Sequence, residues 1–152
     1  EYMHELGHNL VLYFTASSRE SASIIKEQVK NVNDKNEKSI EAMHQLKEQA
    51  RMMKEALLKG RLNEFGEILD FGFSQKRKMA ANIRNNNIEK IYSAAKAAGA
   101  TGGKISGACG GGFMIFYCPG NTNYAVKDAL LKFGGEVKKY SFTKYGLTSW
   151  TI

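Results

Sequence analysis

Proline is almost missing from this sequence: Pro119 stands alone in 152 residues. Cysteine is nearly as scarce. Cys109 and Cys118 sit nine apart around an apolar run, too few for a disulfide framework and in keeping with a reducing, cytoplasmic setting. No apolar run reaches membrane-spanning length and no signal peptide appears at the front, so no membrane partner is expected. The three histidines, His4, His8 and His44, fall into no Cys/His metal spacing and complete no Ser/His/Asp set. His4 and His8 lie near a start expected to fray. No metal site and no catalytic residue is expected within these residues, because none of the fifteen Asp and Glu has a partner visible in the sequence. The first residue is Glu1 instead of a start methionine, and the expectation is a piece of something longer.

What is present suits one domain over residues 1–152, long enough to close a core without disulfides or metals. The net charge of +7 is spread over segments in which acidic residues interleave with basic ones. That pattern reads as a solvated surface with a mild preference for anions, and it argues against nucleic acid as a partner.

Glycine is concentrated where chemistry is most expected. Six of the twelve residues from Thr101 to Gly112 are glycine, and Phe113–Cys118 follows as an apolar, aromatic strand. Glycines at that density permit positive φ and bring main-chain N–H groups close to another surface, where rows of them favour phosphate oxygens. Lys104 adds a full positive charge at the edge of the turn. A phosphorylated ligand, or a neighbouring loop that holds one, is the natural partner. The stretch is not a P-loop, since Ala98 and Ile105 stand where glycine and Ser/Thr are needed, and it is not a dinucleotide fingerprint, since a strand follows it instead of a helix. The plain alternative is a glycine hairpin that lets two strands pack closely.

Asn9–Thr15 reads as a buried strand leading to Ser17-Ser18-Arg19-Glu20, which has capping-box spacing at the start of a helix running to about Lys30. That helix start, with Arg19, is a second place to receive an anion. Asp34 and Glu37 have the same spacing before a long amphipathic helix whose apolar face is Ile40, Met43, Leu46, Ala50, Met53 and Leu57, ending near Gly60. Leu62 to Met79 forms a third helix pairing back on it. Lys76-Arg77-Lys78 and Arg84 load its end with charge, read either as a dipole complement or as a basic rim facing phosphate. A short helix over Ile88–Ala98, strands at Gly103–Ser106 and Phe113–Cys118, a helix over Tyr124–Phe133 and strands at Glu136–Phe142 and Leu147–Ile152 complete the order. The expected class is α+β, a ferredoxin-like antiparallel sheet with helices on one face.

Lys104-Ile105-Ser106-Gly107-Ala108-Cys109-Gly110-Gly111-Gly112 closely resembles the third conserved motif of the GHMP kinase superfamily, roughly Lys-x-Ser/Thr-Gly-Ala followed by four glycines. Leu12–Ser21 and the Leu58–Phe65 join are most similar to its sugar-kinase branch, the galactokinase-like and heptose 7-phosphate kinases, and the resemblance spans essentially the whole chain. It implies a GHMP kinase C-terminal domain, part of an enzyme moving the γ-phosphoryl of ATP to a sugar or sugar-phosphate hydroxyl with Mg²⁺. The family's phosphate loop and its catalytic Asp lie in an N-terminal kinase domain whose motif is absent here. This domain alone is then inactive and holds neither ATP nor Mg²⁺ tightly, and its own N-terminal domain is its first partner. By the same resemblance Lys104, Ser106, Gly107, Ala108, Gly110, Gly111 and Gly112 line the ATP and substrate-phosphate cleft, while Ser18 and Arg19 face the sugar phosphate. Cys109 departs from the pattern, and a side chain there requires negative φ or costs about 1 kcal/mol of backbone strain. An uncovered apolar surface also makes a homodimer an expectation. The competing reading is a stand-alone ferredoxin-like module that binds a phosphorylated small molecule without chemistry.

Overall fold

A computed structural model describes residues 2–16, 21–79, 86–107 and 111–151. Its elements are α1 (Tyr2–Asn9), β1 (Leu10–Phe14), α2 (Ser21–Asn33), α3 (Glu37–Leu58), α4 (Leu62–Lys76), α5 (Asn86–Ala97), β2 (Gly102–Ile105), β3 (Phe113–Tyr117), α6 (Thr122–Leu131) and β4 (Glu136–Lys138). The four strands form one sheet in the order β2-β3-β1-β4, every neighbouring pair antiparallel. β1 and β2 therefore run parallel with β3 between them. That is the split arrangement of a ferredoxin-like sheet, with α2 to α5 in the first crossover and α6 in the second.

β1 alternates as its sequence requires: Val11 and Tyr13 are buried, while Leu10, Leu12 and Phe14 are half-buried. Val11 lies opposite Phe116 and Tyr13 opposite Met114, and these four share the main core with Phe73, Ile88, Ile91, Ile105, Val126 and Leu130. Tyr117, one residue past Phe116, turns the other way into a smaller cluster with Leu6, Leu62 and Leu69. Two buried hydrogen bonds fix the tyrosines. Asn9 donates through Nδ2 to the Tyr117 hydroxyl at 3.1 Å, and the Gly135 N–H donates to the Tyr13 hydroxyl at 2.9 Å. Among the described residues no helix is long and apolar enough to cross a membrane.

Four expectations change. His4 and His8 lie on α1 instead of on a frayed end. The cap of α3 is Asn36, whose side chain accepts from the Ser39 N–H at 3.0 Å, because α2 continues to Asn33 and the chain turns at Asp34 and Lys35 before the first free N–H groups appear. The buried face of α3 is rotated to Ser39, Ala42 and Ala56, leaving Met43 and Leu57 exposed. Small residues let α3 and α4 approach closely, and Gln49 reaches across to donate to the Ile68 carbonyl at 3.1 Å. Finally, β4 stops at Lys138, and residues 139–151 contain no strand, so the strand expected at Leu147–Ile152 is absent over its described part. Lys138 pairs with Leu12, so the ladder would reach Leu10, the first residue of β1, at position 140. There the Tyr140 hydroxyl donates instead to the carbonyls of Gly7 and Leu10, and the sheet has no further partner to offer.

Candidate functional site

The glycine stretch joins β2 to β3 at one end of the sheet. Its closing hydrogen bond runs from the Ser106 N–H to the Phe113 carbonyl at 2.7 Å. β1 ends beside it: the Thr15 N–H donates to the Gly112 carbonyl at 2.8 Å, and the Gly112 N–H returns to the Thr15 hydroxyl at 3.1 Å. Gly107, Gly111 and Gly112 all have positive φ, at 80°, 135° and 95°. A Cβ added at Gly107 or Gly112 meets nothing within 4 Å, so there is room for a side chain at both positions. Ala16, next to Thr15, is held at φ 54°, a conformation a non-glycine residue adopts only under constraint from its surroundings.

Lysines flank this bend. Lys76, the last residue of α4, donates from Nζ to the Gly107 carbonyl. Lys104, half-buried on β2 opposite Ile115, lines a cavity of about 220 Å³ beneath the turn together with Lys76, Gln28, Gln49, Phe73 and Met79. Among the described residues no carboxylate lines that cavity. The Gln28 Nε2 is buried there without a hydrogen-bond partner among the described residues. Two ammonium groups and an idle amide donor make a site for an acceptor-rich anion. It has no group suited to act as base or nucleophile.

The structure thus brings Lys104, Ser106, Gly107, Gly111 and Gly112 to one edge, while Ala108, Gly110, Ser18, Arg19 and the departing Cys109 lie outside the described residues. Among the described residues of the basic run at the end of α4, Lys76 is the one hydrogen-bonded to the turn. Arg77 is a structural residue: its guanidinium lies 4.1 Å from the Phe73 ring centroid and pairs with Glu89 at 2.8 Å. Lys78 donates to Gln75 at 3.0 Å, and Arg84 is not among the described residues. Gln28, Gln49 and Thr15 carry no sequence signal for this site, since each reaches it through tertiary packing. Cys118 is buried, and burial pushes its thiol up to about 12, which keeps it protonated. Among the described residues no group of three or more His, Cys, Asp or Glu is placed to hold a metal ion.

Comparison with known proteins bears on the family and the fold. Residues 53–136 match the family model "GHMP kinases C terminal". D-glycero-alpha-D-manno-heptose 7-phosphate kinase of Campylobacter jejuni is 40% identical over 148 residues, which is 97% of this chain and 43% of that enzyme. The chain therefore spans less than half the length of that relative. A solved D-glycero-D-manno-heptose 1-phosphate kinase from Bacteroides thetaiotaomicron is 31% identical with a TM-score of 0.59, covering 90% of this chain and 33% of its own. Mevalonate kinase of L. major, solved with R-mevalonate, shares the fold at a TM-score of 0.73 and 20% identity, over 81% of this chain and 37% of its own. With the matched model extending over more than half of its residues, from the middle of α3 to the start of β4, this chain belongs to the GHMP kinase C-terminal domain family.

Proposed function

We propose that this chain is the substrate-side part of an ATP-dependent sugar-phosphate kinase with a heptose 7-phosphate as acceptor, acting together with an N-terminal kinase domain of the longer protein in its cytoplasm. The observation that carries the reading is the open glycine bend between Lys76 and Lys104. Main chain that carries no side chain at Gly107 and Gly112, two ammonium groups and, among the described residues, no carboxylate in the cavity below suit a phosphate ester or the phosphates held by a facing loop. ATP with Mg²⁺ supplies the phosphoryl group, and the metal's ligands are assigned to the upstream part. Within this chain, Lys104 neutralises substrate phosphate, Lys76 holds the Gly107 carbonyl in place, and the Thr15–Gly112 pair fixes the far side of the bend. Ala108 and Gly110 complete the same loop, and Ser18 and Arg19 face the sugar phosphate.

Two surfaces support a covering domain. Tyr145, Leu147 and Trp150 are 80%, 102% and 80% exposed, and Phe113, on the half-open face of the sheet with Phe14, is 40% exposed beside the bend. Apolar groups left in water to this extent mark an interface. A second copy of the chain is the other possible cover, and sedimentation of the isolated chain distinguishes them.

The experiment is to express this chain with its upstream region and follow ATP consumption with D-glycero-D-manno-heptose 7-phosphate. Turnover is expected there and not from the isolated chain, with Lys104→Gln lowering kcat/KM by about 100-fold, as loss of one charged phosphate contact at a shielded site does. Absence of turnover with every sugar phosphate tried overturns the reading.

A further inference from the structure

A groove far larger than the cavity under the glycine bend lies on the other side of β1. Its volume is about 560 Å³, within the range of small-molecule sites. Three walls enclose it: α1, the first turns of α6, and the residues that follow β4. The walls are tied to one another. Asn123 of α6 donates through Nδ2 to the His8 carbonyl of α1 at 3.0 Å, and Tyr140 donates to the Gly7 carbonyl at 2.8 Å. The groove is therefore built by cross-links between elements distant in sequence.

Its chemistry is one-sided. Lys127, Lys138 and Lys139 line it with His4 and His8, and among the described residues no Asp or Glu does. Lys138 is paired with Glu136, which leaves Lys127 and Lys139 as the charges offered to a ligand. A surface cavity between α3 and α4 shows what balanced charge looks like: Arg51 and Arg61 there sit among Glu48, Glu55 and Glu64, and both arginines are in ion pairs. A second feature points to the same occupant. Asn123 is 2% exposed, and its Oδ1 is buried with no hydrogen-bond partner among the described residues. A buried acceptor left idle costs about 1–3 kcal/mol, and a ligand that carries a donor as well as negative charge recovers it once the Asn123 amide turns its Oδ1 out toward the groove it lines. Leu10, Leu12 and Phe142 provide apolar surface between these polar ends.

We propose that this groove is a second binding site, separate from the glycine bend, for a phosphorylated polyol: the phosphate is held by Lys127 and Lys139, and a hydroxyl donates to the Asn123 carbonyl oxygen. The role assigned to the site is binding and, through α1 and β1, adjustment of the sheet that carries the bend.

The test uses glucose 6-phosphate and inorganic phosphate as probes, followed by calorimetry and by the side-chain amide resonance of Asn123 in the unmodified chain. Glucose 6-phosphate is expected to bind at least tenfold tighter than inorganic phosphate and to shift the Asn123 resonance. Lys127→Gln and Lys139→Gln, both surface changes, are expected to weaken it about tenfold each, while Lys104→Gln leaves it unchanged. Equal binding of the two probes, or no movement of the Asn123 resonance, overturns the proposal. Sensitivity to Lys104→Gln alone would place the phosphosugar at the glycine bend, supporting the kinase reading and overturning this one. Loss of binding when the upstream region is present would show the groove to be a covered interface, with the same consequence.

Discussion

Gly102 opens β2 and Gly107 lies two residues past its end, and an added Cβ fares very differently at each. At Gly102 it falls 1.8 Å from the Gly66 carbonyl oxygen of α4, and at neighbouring Gly103 it falls 2.5 Å from the Phe116 ring. At Gly107 it meets nothing. The same residue type serves close packing where β2 enters the core and main-chain exposure where β2 leaves it. One motif therefore has a sealed half and an open half, so glycine content alone does not identify a binding loop. What separates the halves is whether something already occupies the space the missing side chain leaves.

The largest effect that would break this contrast is alkaline titration of the sealed side. Burial raises Cys118 to about 12 from its ordinary 9.0, and burial, then the Asp70 carboxylate accepting its hydroxyl, raises Tyr92. Burial raises Tyr13 and Tyr117 as well. A folded-state pKa above the unfolded one means the native chain keeps more protons, so stability is fully present below about pH 9 and is lost between about pH 9 and 12. Denaturant midpoints measured across that range are expected to fall steadily, and a flat profile would show that these groups are not sealed. The next effect is Gly102→Ala, whose methyl group must push β2 away from backbone that cannot yield. About 3 kcal/mol of destabilisation is expected by chemical denaturation. Gly107→Ala meets no neighbour and costs only the strain of positive φ, about 1 kcal/mol. Smallest is Lys76→Met. The Lys76–Gly107 contact is exposed, so its loss is expected to change stability by less than about 0.5 kcal/mol. The amide resonances of Ser106 and Gly107 are still expected to shift, because the carbonyl between them and the open half has lost its donor. A stability change at Lys76 as large as that at Gly102 would erase the distinction between the halves.

The strands β1 to β4, the long α3 and α4 pair, the glycine turn and its lysine follow from local signals: compact runs of β-forming residues in β1 and β3, three- and four-residue apolar steps in α4, and a run of residues with no side chain. Each such signal is written in neighbouring positions, and a chain can express it without knowing what it will pack against. The face that α3 buries was misread because Ala42, Ser39 and Ala56 are chosen by how closely α4 approaches, not by their own hydrophobicity. Leu147–Ile152 has the residues of a strand, but a strand exists only when a ladder partner is within reach, and β1 has run out by then. Sequence by itself determined most of the helices, the strands β1 to β4 and the glycine bend, and which family they compose, while α1 and the end of the last strand escaped it. Only the tertiary structure decided that Lys76 meets Gly107, that Gln28 waits beside Lys104, and that Asn123 closes a groove with His8, because these contacts join residues 31 to 115 positions apart that no local periodicity relates.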